Sequence, residues 1–262
     1  MIRFARVLPG AKQFDADNVS LTFRGQILLE DGGVRQAVIK DIPAKELANE
    51  LVGSTLATAI GLPTPDAFLA VVPEGNLNLV FAPRVDEGRV CFASVDAQVP
   101  SVRFIFKSVD AAAGQKVLRD LMSWDRIGDA IAFDTWIANV DRNIGNVLWG
   151  AKDKIWFIDH GRCLTGPDWA IDDLIADGSF ANKLAQIAKN LLPGSERLQK
   201  LISASDAIMR LQSLDIDDAR DASRVDGLLP ASECDAGFVF VDERRTSVSK
   251  KASEALALPH AA

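Results

Sequence analysis

Histidine is almost missing from this sequence: 262 residues contain two, His160 and His260. A multi-histidine metal site is thereby excluded. A Ser-His-Asp triad would have to be built on His160 alone, because His260 lies in the last three residues, where chains fray. Most hydrolase mechanisms lose their base under that constraint. Cysteine is sparse as well. Cys91, Cys163 and Cys234 are odd in number and far apart, which argues against a disulfide framework or a zinc site and fits buried structural thiols in a reducing compartment. No apolar run approaches the roughly 20 residues that a membrane span needs. The opening MIRFARVLPGAKQFD carries basic residues but no apolar signal core, so a cytoplasmic protein with no membrane partner is expected. Basic excess is missing too. A net charge of −7 speaks against nucleic acid as the main partner, while leaving room for a local basic groove around a nucleotide phosphate.

What is present is ordinary in bulk and specific in order. At 48% hydrophobic and 25% charged, the chain is long enough for one large domain or two modest lobes. From Asn18 to about Lys40 the text is strand-like: SLTFRGQILLE and VRQAVIK flank the turn signal Asp31-Gly32-Gly33. Pro43 opens a helical stretch that ends at Gly61, with proline early and glycine late as helix punctuation. DAFLAVV, LNLVFA and RVCFASV read as three further strands. VRFIFKSVD is ambiguous. From Gln115 to Asn139 the text is helical and includes the buried-looking run DAIAFDTWIAN. NVLWG and KIWFID read as a hairpin around Ala151-Lys152-Asp153, and 168–188, 194–213 and 231–257 read as mostly helical. The fold class is α+β, with a β-rich N-terminal lobe holding one helix over 1–98 and a mostly helical C-terminal lobe over 99–262. Trp124, Trp136, Trp149, Trp156 and Trp169 fall in that second part and read as core packing.

The chemistry sits in NVDRNIGNVLWGAKDKIWFIDHG. Asp141 lies at the end of a helix, Asn146 follows five residues later and leads into a strand, and a second strand ends in Asp159. Phosphoryl transfer asks a protein for positioning and charge neutralisation more than for covalent chemistry. One carboxylate must take or orient the acceptor's proton; a second carboxylate and an amide oxygen can hold Mg²⁺, a hard ion that prefers oxygen. Asp141 is then the candidate base, and Asn146 and Asp159 the candidate metal ligands. Asp and Asn are also turn residues, but a carboxylate closing an aromatic-rich strand needs a partner or a metal. Upstream, Lys40 closes an apolar strand, as a lysine gripping ATP phosphates would. The next helix offers Glu50, with Glu46 in reserve, as its carboxylate partner.

With these residues in order, the chain resembles the HipA-like kinases, a bacterial branch of kinase-like folds related to the phosphatidylinositol 3- and 4-kinases. The matching text is VIK, ELANELVGSTLATAIGLPTPDAFLAVV, NVDRNIGN and FIDHG, over most of 35–165. The resemblance implies a protein-kinase-like two-lobed fold, ATP and Mg²⁺, and transfer to a protein Ser/Thr hydroxyl. It also implies Lys40 on the phosphates with Glu50 beside it, Asp141 as catalytic aspartate, and Asn146 and Asp159 on metal. Phe92, Ala93 and Ser94, in FASVD, fall in the segment that leads between the lobes, where adenine would meet backbone. Family members usually read Asp-Arg-His where this chain has Asp141-Arg142-Asn143, which puts the bracing of the loop in question. The phosphate-covering loop has two candidates, Pro9-Gly10-Ala11-Lys12 and Asp31-Gly32-Gly33, neither of them a G-x-G-x-x-G. Two other readings stand beside this one. The Asp-x4-Asn spacing also resembles small-molecule phosphotransferases of the aminoglycoside and choline kinase type, and Asn143 with the poor glycine loop suits a nucleotide-binding pseudokinase that acts as an interaction module.

Overall fold

The computed structural model describes residues 1–13, 21–150 and 154–258. The expected turn at Ala151-Lys152-Asp153, the expected strand start at Asn18 and the tail position His260 lie outside these residues. The protein is mixed α+β, with a β-rich N-terminal sheet followed by a mostly helical C-terminal part.

The sheet is built on a hairpin of β3 (Leu21–Leu29) and β4 (Val34–Asp41). Gly32 at the hairpin tip has φ +80°, a backbone angle that costs glycine nothing. Along β4 the buried Ala37, Ile39 and Asp41 alternate with Val38 and Lys40, so Lys40 faces the side opposite to Ile39. β1 (Arg3–Val7), β2 (Lys12–Gln13), β5 (Ala67–Pro73), β6 (Arg84–Val85) and β7 (Gly88–Val95) complete seven strands in the order β1-β5-β7-β4-β3-β2, with β6 beside β7. β1 runs parallel to β5 and also antiparallel to β3, so the sheet closes on itself. Phe23, Ile27, Ile39, Phe68, Cys91 and Ala93 belong to the apolar cluster enclosed in this way.

On the outer face lies α1 (Ala44–Ala59), preceded by Pro43. It is buried from Leu47 to Ala57 on nearly every side. The reason is that α1 is sandwiched: Leu47, Leu51 and Leu56 share one core cluster with Leu69, Val90 and Phe92 of the sheet and with Phe133 and Trp136 of the helical part. Its polar residues Asn49 and Glu50 are therefore fully buried, and buried polar groups require partners.

The second part contains α2 (Val102–Lys107), α3 (Ala111–Ser123), α4 (Ile127–Trp136), the hairpin β8 (Val147–Trp149) with β9 (Ile155–Phe157), α5 (Lys183–Leu191), α6 (Gly194–Ser203), α7 (Ser205–Gln212), α8 (Ile216–Ser223), α9 (Ala231–Arg245) and α10 (Val248–Ala255). The helical text from Gln115 to Asn139 is thus two helices, α3 and α4, and the ambiguous VRFIFK is α2. Trp136 and Trp169 are buried, with indole N–H groups donating to the Val241 carbonyl (2.8 Å) and to Asn49 Oδ1 (3.0 Å). The three cysteines are buried and unpaired. Among the described residues no helix is long and apolar enough to cross a membrane.

Two sequence expectations are corrected. LNLVFA forms no strand. The carboxylate of Asp41, at the end of β4, instead accepts the backbone N–H groups of Val80, Phe81 and Ala82 at 2.6, 3.0 and 2.7 Å, which curls the segment into an irregular loop. The stretch 168–188 is helical only from Lys183 onward, apart from a short 3-10 turn at Ile171–Asp173. The carbonyls of Ala176 and Gly178 are taken by the Arg244 guanidinium and that of Asp177 by Lys251, so a continuous helix has no acceptors there.

Candidate active site

Lys40, Glu50 and Asp159 come from three separate elements and meet. Lys40 Nζ donates to Glu50 Oε1, and at 3.0 Å to Asp159 Oδ1. The second Glu50 oxygen accepts the His160 N–H at 2.8 Å. One carboxylate on α1 therefore holds both the strand lysine and the backbone just after Asp159. Burial alone would lower the Lys40 ammonium, but the charges of Asp159 and Glu50 outweigh it and raise its pKa above the ordinary value. Burial pushes the Glu50 carboxyl up to about 7 despite Lys40. For Asp159, partial burial is overcome by Lys40 and by Arg142, and its pKa falls to about 2, which keeps it ionised. Glu46 is not the lysine's partner; its side chain packs where a side chain on Gly161 would otherwise go.

The segment around Asp141 is tied to this cluster by Arg142, which is fully buried. Arg142 Nε donates to both oxygens of Asp134 on α4, at 3.2 and 3.1 Å. Nη1 reaches the Ile158 carbonyl, and Nη2 lies 2.8 Å from His160 Nδ1. Asp159 itself adopts φ +65°, an uncommon backbone state that Asp tolerates better than most residues. Asn139, also buried, donates to Asp134 Oδ1 (3.1 Å) and accepts the Asp141 N–H (3.1 Å). Asn143 stands where the resemblance leads one to expect histidine. Its Oδ1 accepts Gly145 N–H at 2.8 Å and the guanidinium of Arg103, and its Nδ2 donates to the Asp141 carbonyl at 3.1 Å. The loop is therefore braced at this position by an amide and an arginine.

Asn146 Nδ2 donates to the same Asp141 carbonyl at 3.0 Å. With the amide nitrogen committed, Oδ1 is the end of Asn146 left to act as a ligand. An ionised Asp159 with 40% of its side chain exposed, together with an amide oxygen, is a hard oxygen donor set of the kind Mg²⁺ takes when phosphates and water complete its shell. The residues fit that ion. Among the described residues no group of three or more His, Cys, Asp or Glu is arranged to hold a metal, so a metal here would depend on the nucleotide for the rest of its ligands.

Other expected positions are placed differently. Phe92, Ala93 and Ser94 lie in the C-terminal half of β7, paired with Lys40, Ile39 and Val38 on one side and with Leu69, Phe68 and Ala67 on the other. Their backbone groups face partner strands on both sides, and Ala93 belongs to the apolar cluster enclosed by the sheet. Phe92 stays beside the site, its ring centroid 5.6 Å from Lys40 Nζ. Of the phosphate-loop candidates, Asp31-Gly32-Gly33 closes the far end of the β3–β4 hairpin. Ala11 packs on Gly25, which pairs with Ala37, three residues or roughly 10 Å along β4 from Lys40.

Sequence reading missed Asp134, Asn139, Arg103 and Lys183. Asp134 had a signal, since a carboxylate inside the apolar run DAIAFDTWIAN demands a partner. Lys183, at the start of α5, forms an ion pair with the Asp141 carboxylate.

A family model described as HipA-like kinase matches residues 30–213, well over half of the chain and every residue of the cluster just described. No curated protein matches the chain.

Proposed function

The chain belongs to the HipA-like kinase family, and from that premise we propose that it is an ATP- and Mg²⁺-dependent phosphotransferase that carries the γ-phosphate of ATP to a protein Ser/Thr hydroxyl. The observation that carries this reading is the meeting of Lys40, Glu50 and Asp159, brought together over 119 residues of sequence with Lys40 Nζ 3.0 Å from Asp159 Oδ1. A structural ion pair needs one carboxylate; a lysine shared between two, one fully buried and one open to solvent, is suited to gripping phosphates.

In this reading Glu50 fixes Lys40, and Lys40 holds the phosphate oxygens. Asn146 and Asp159 are the residues that would hold Mg²⁺, which when bound neutralises charge on the transferring phosphoryl group. Asp141 accepts the proton of the acceptor hydroxyl as its oxygen forms a bond to the γ-phosphorus and the bond to the ADP oxygen breaks. Adenine meets backbone in the loop 96–100. The two lobes are 1–98 and 99–262, with the nucleotide between the sheet and the β8–β9 hairpin.

The test is incubation with γ-labelled Mg·ATP and a cell lysate, comparing wild type with Asp141→Ala. Label transferred by the wild type and lost in the variant supports the reading. Equal transfer from both overturns it.

A further inference from the structure

We propose that Lys183 is a positioning residue for phosphoryl transfer, acting through Asp141 and supplied by α5, outside the two motif segments. The inference rests on the kinase reading above. Lys183 Nζ forms an ion pair with Asp141 Oδ1, with 43% and 37% of the two side chains exposed.

Three features separate this contact from an ordinary surface ion pair. The first is its cost. Lys183 is the first residue of α5, where the helix dipole disfavours a cation. A sequence that accepts such a local conflict is often serving a site.

The second is rigidity. Asn182, which is buried, caps α5 by accepting the Ala185 N–H at 2.9 Å. Its Nδ2 donates to the Ile131 carbonyl and to Thr135 Oγ1 on α4, both at 2.9 Å. The start of α5 is thereby fastened to the helix that also carries Asp134, the anchor of Arg142. Lys183 and the Asp141 loop are referred to one frame.

The third is location. Asp141 has its main chain held by Asn139, Asn143 and Asn146, but its carboxylate is held by Lys183. A base must present one oxygen to the acceptor hydroxyl in a fixed direction. Lys183 takes Oδ1, which leaves Oδ2 to receive the proton. Exposed pairs of this kind add little to stability, so the contact is better explained by orientation of the base than by folding.

The experiment measures ADP release and label transfer with Mg·ATP for wild type, Lys183→Met, Lys183→Arg, Asp141→Asn and the double variant Lys183→Met/Asp141→Asn. Expected for Lys183→Met is a kcat lower by about tenfold or more, a fraction of what a general base contributes, with an unchanged KM for ATP and an unchanged melting temperature. Lys183→Arg recovers most of the loss. In the Asp141→Asn background, Lys183→Met costs nothing further, which is the signature of acting through Asp141. Wild-type kcat in Lys183→Met, or an additive loss in the double variant, overturns the proposal while leaving the kinase reading intact. No difference between wild type and Asp141→Asn overturns the kinase reading itself, and this proposal with it.

Discussion

Arg142 Nη2 lies 2.8 Å from Nδ1 of His160 in a fully buried setting. A guanidinium can only donate, so Nδ1 accepts and the imidazole proton sits on Nε2. That nitrogen is buried, with no hydrogen-bond partner among the described residues. Burial, then the charges of Arg142 and Lys40, hold the ring's pKa well below its ordinary value. A folded value below the unfolded one means that His160 favours the folded state fully above about pH 6.5 and less as pH falls. Long-range ¹⁵N–¹H spectra are expected to show the neutral Nε2–H tautomer unchanged from pH 7.5 to 6. A His160 ring that protonates in that interval contradicts the arrangement.

Gly53 on α1 stands against the same histidine. A Cβ at Gly53 would meet His160 Cβ at 2.4 Å. In an open helix position Gly→Ala stabilises by about 0.5–1 kcal/mol. Here overpacking, at about 1–3 kcal/mol, wins, and Gly53→Ala is expected to lower the urea midpoint. At Gly194, where an added Cβ meets only Arg197 at 3.6 Å, alanine is expected to leave the midpoint unchanged or raise it. Equal effects at both glycines would be inconsistent with the packing described.

Asp41 offers a second stability test. Its buried carboxylate accepts three backbone N–H groups from residues 80–82. Asp41→Asn replaces one acceptor oxygen with a donor that faces donors. The expected loss is about 3 kcal/mol by chemical denaturation, the scale of a buried charged hydrogen bond left unmade. Faster amide exchange should appear at Val80, Phe81 and Ala82.

Glu50 and Glu46 separate the lysine's partner from its neighbour. Glu50→Gln weakens the hold on Lys40 and is expected to cut phosphate transfer about tenfold or more, in line with losses at positioning contacts. Glu46→Gln should stay within about twofold of wild type on the same grounds, since it is Glu50 and not Glu46 that forms the ion pair with Lys40. The measurement is initial rate at saturating Mg·ATP, and reversal of the order would reassign the pair.

The sequence made the site more legible than its supports. Lys40, Asp141, Asn146 and Asp159 could be singled out as candidates because phosphoryl transfer would need these residue types in this order, and α1 because Pro43 and Gly61 punctuate it. β1 escaped notice: its five residues bury only Ala5 and Val7, and its pairing with β5 is set by residues more than 60 positions away. LNLVFA misled because its strand propensity is local, whereas the Asp41 carboxylate that captures its N–H groups is distant. The stretch 168–180 misled for the matching reason on the acceptor side, with Arg244 and Lys251 holding its carbonyls. Lys183 had no local signal, since its partner lies 42 residues upstream.

The buried amide of Asn49 has a mechanical consequence. Its Nδ2 lies 2.9, 3.1 and 2.8 Å from the carbonyls of Gly161, Cys163 and Gly166, and its Oδ1 accepts the Trp169 indole N–H. Asn49 is one residue from Glu50, so the helix that grips the lysine is bolted to the chain that follows Asp159. Swinging α1 outward would break these bonds along with the Lys40–Glu50 pair. A switch that works by disengaging this helix is therefore costly in this protein. The cluster of Lys40, Glu50 and Asp159 therefore comes preassembled.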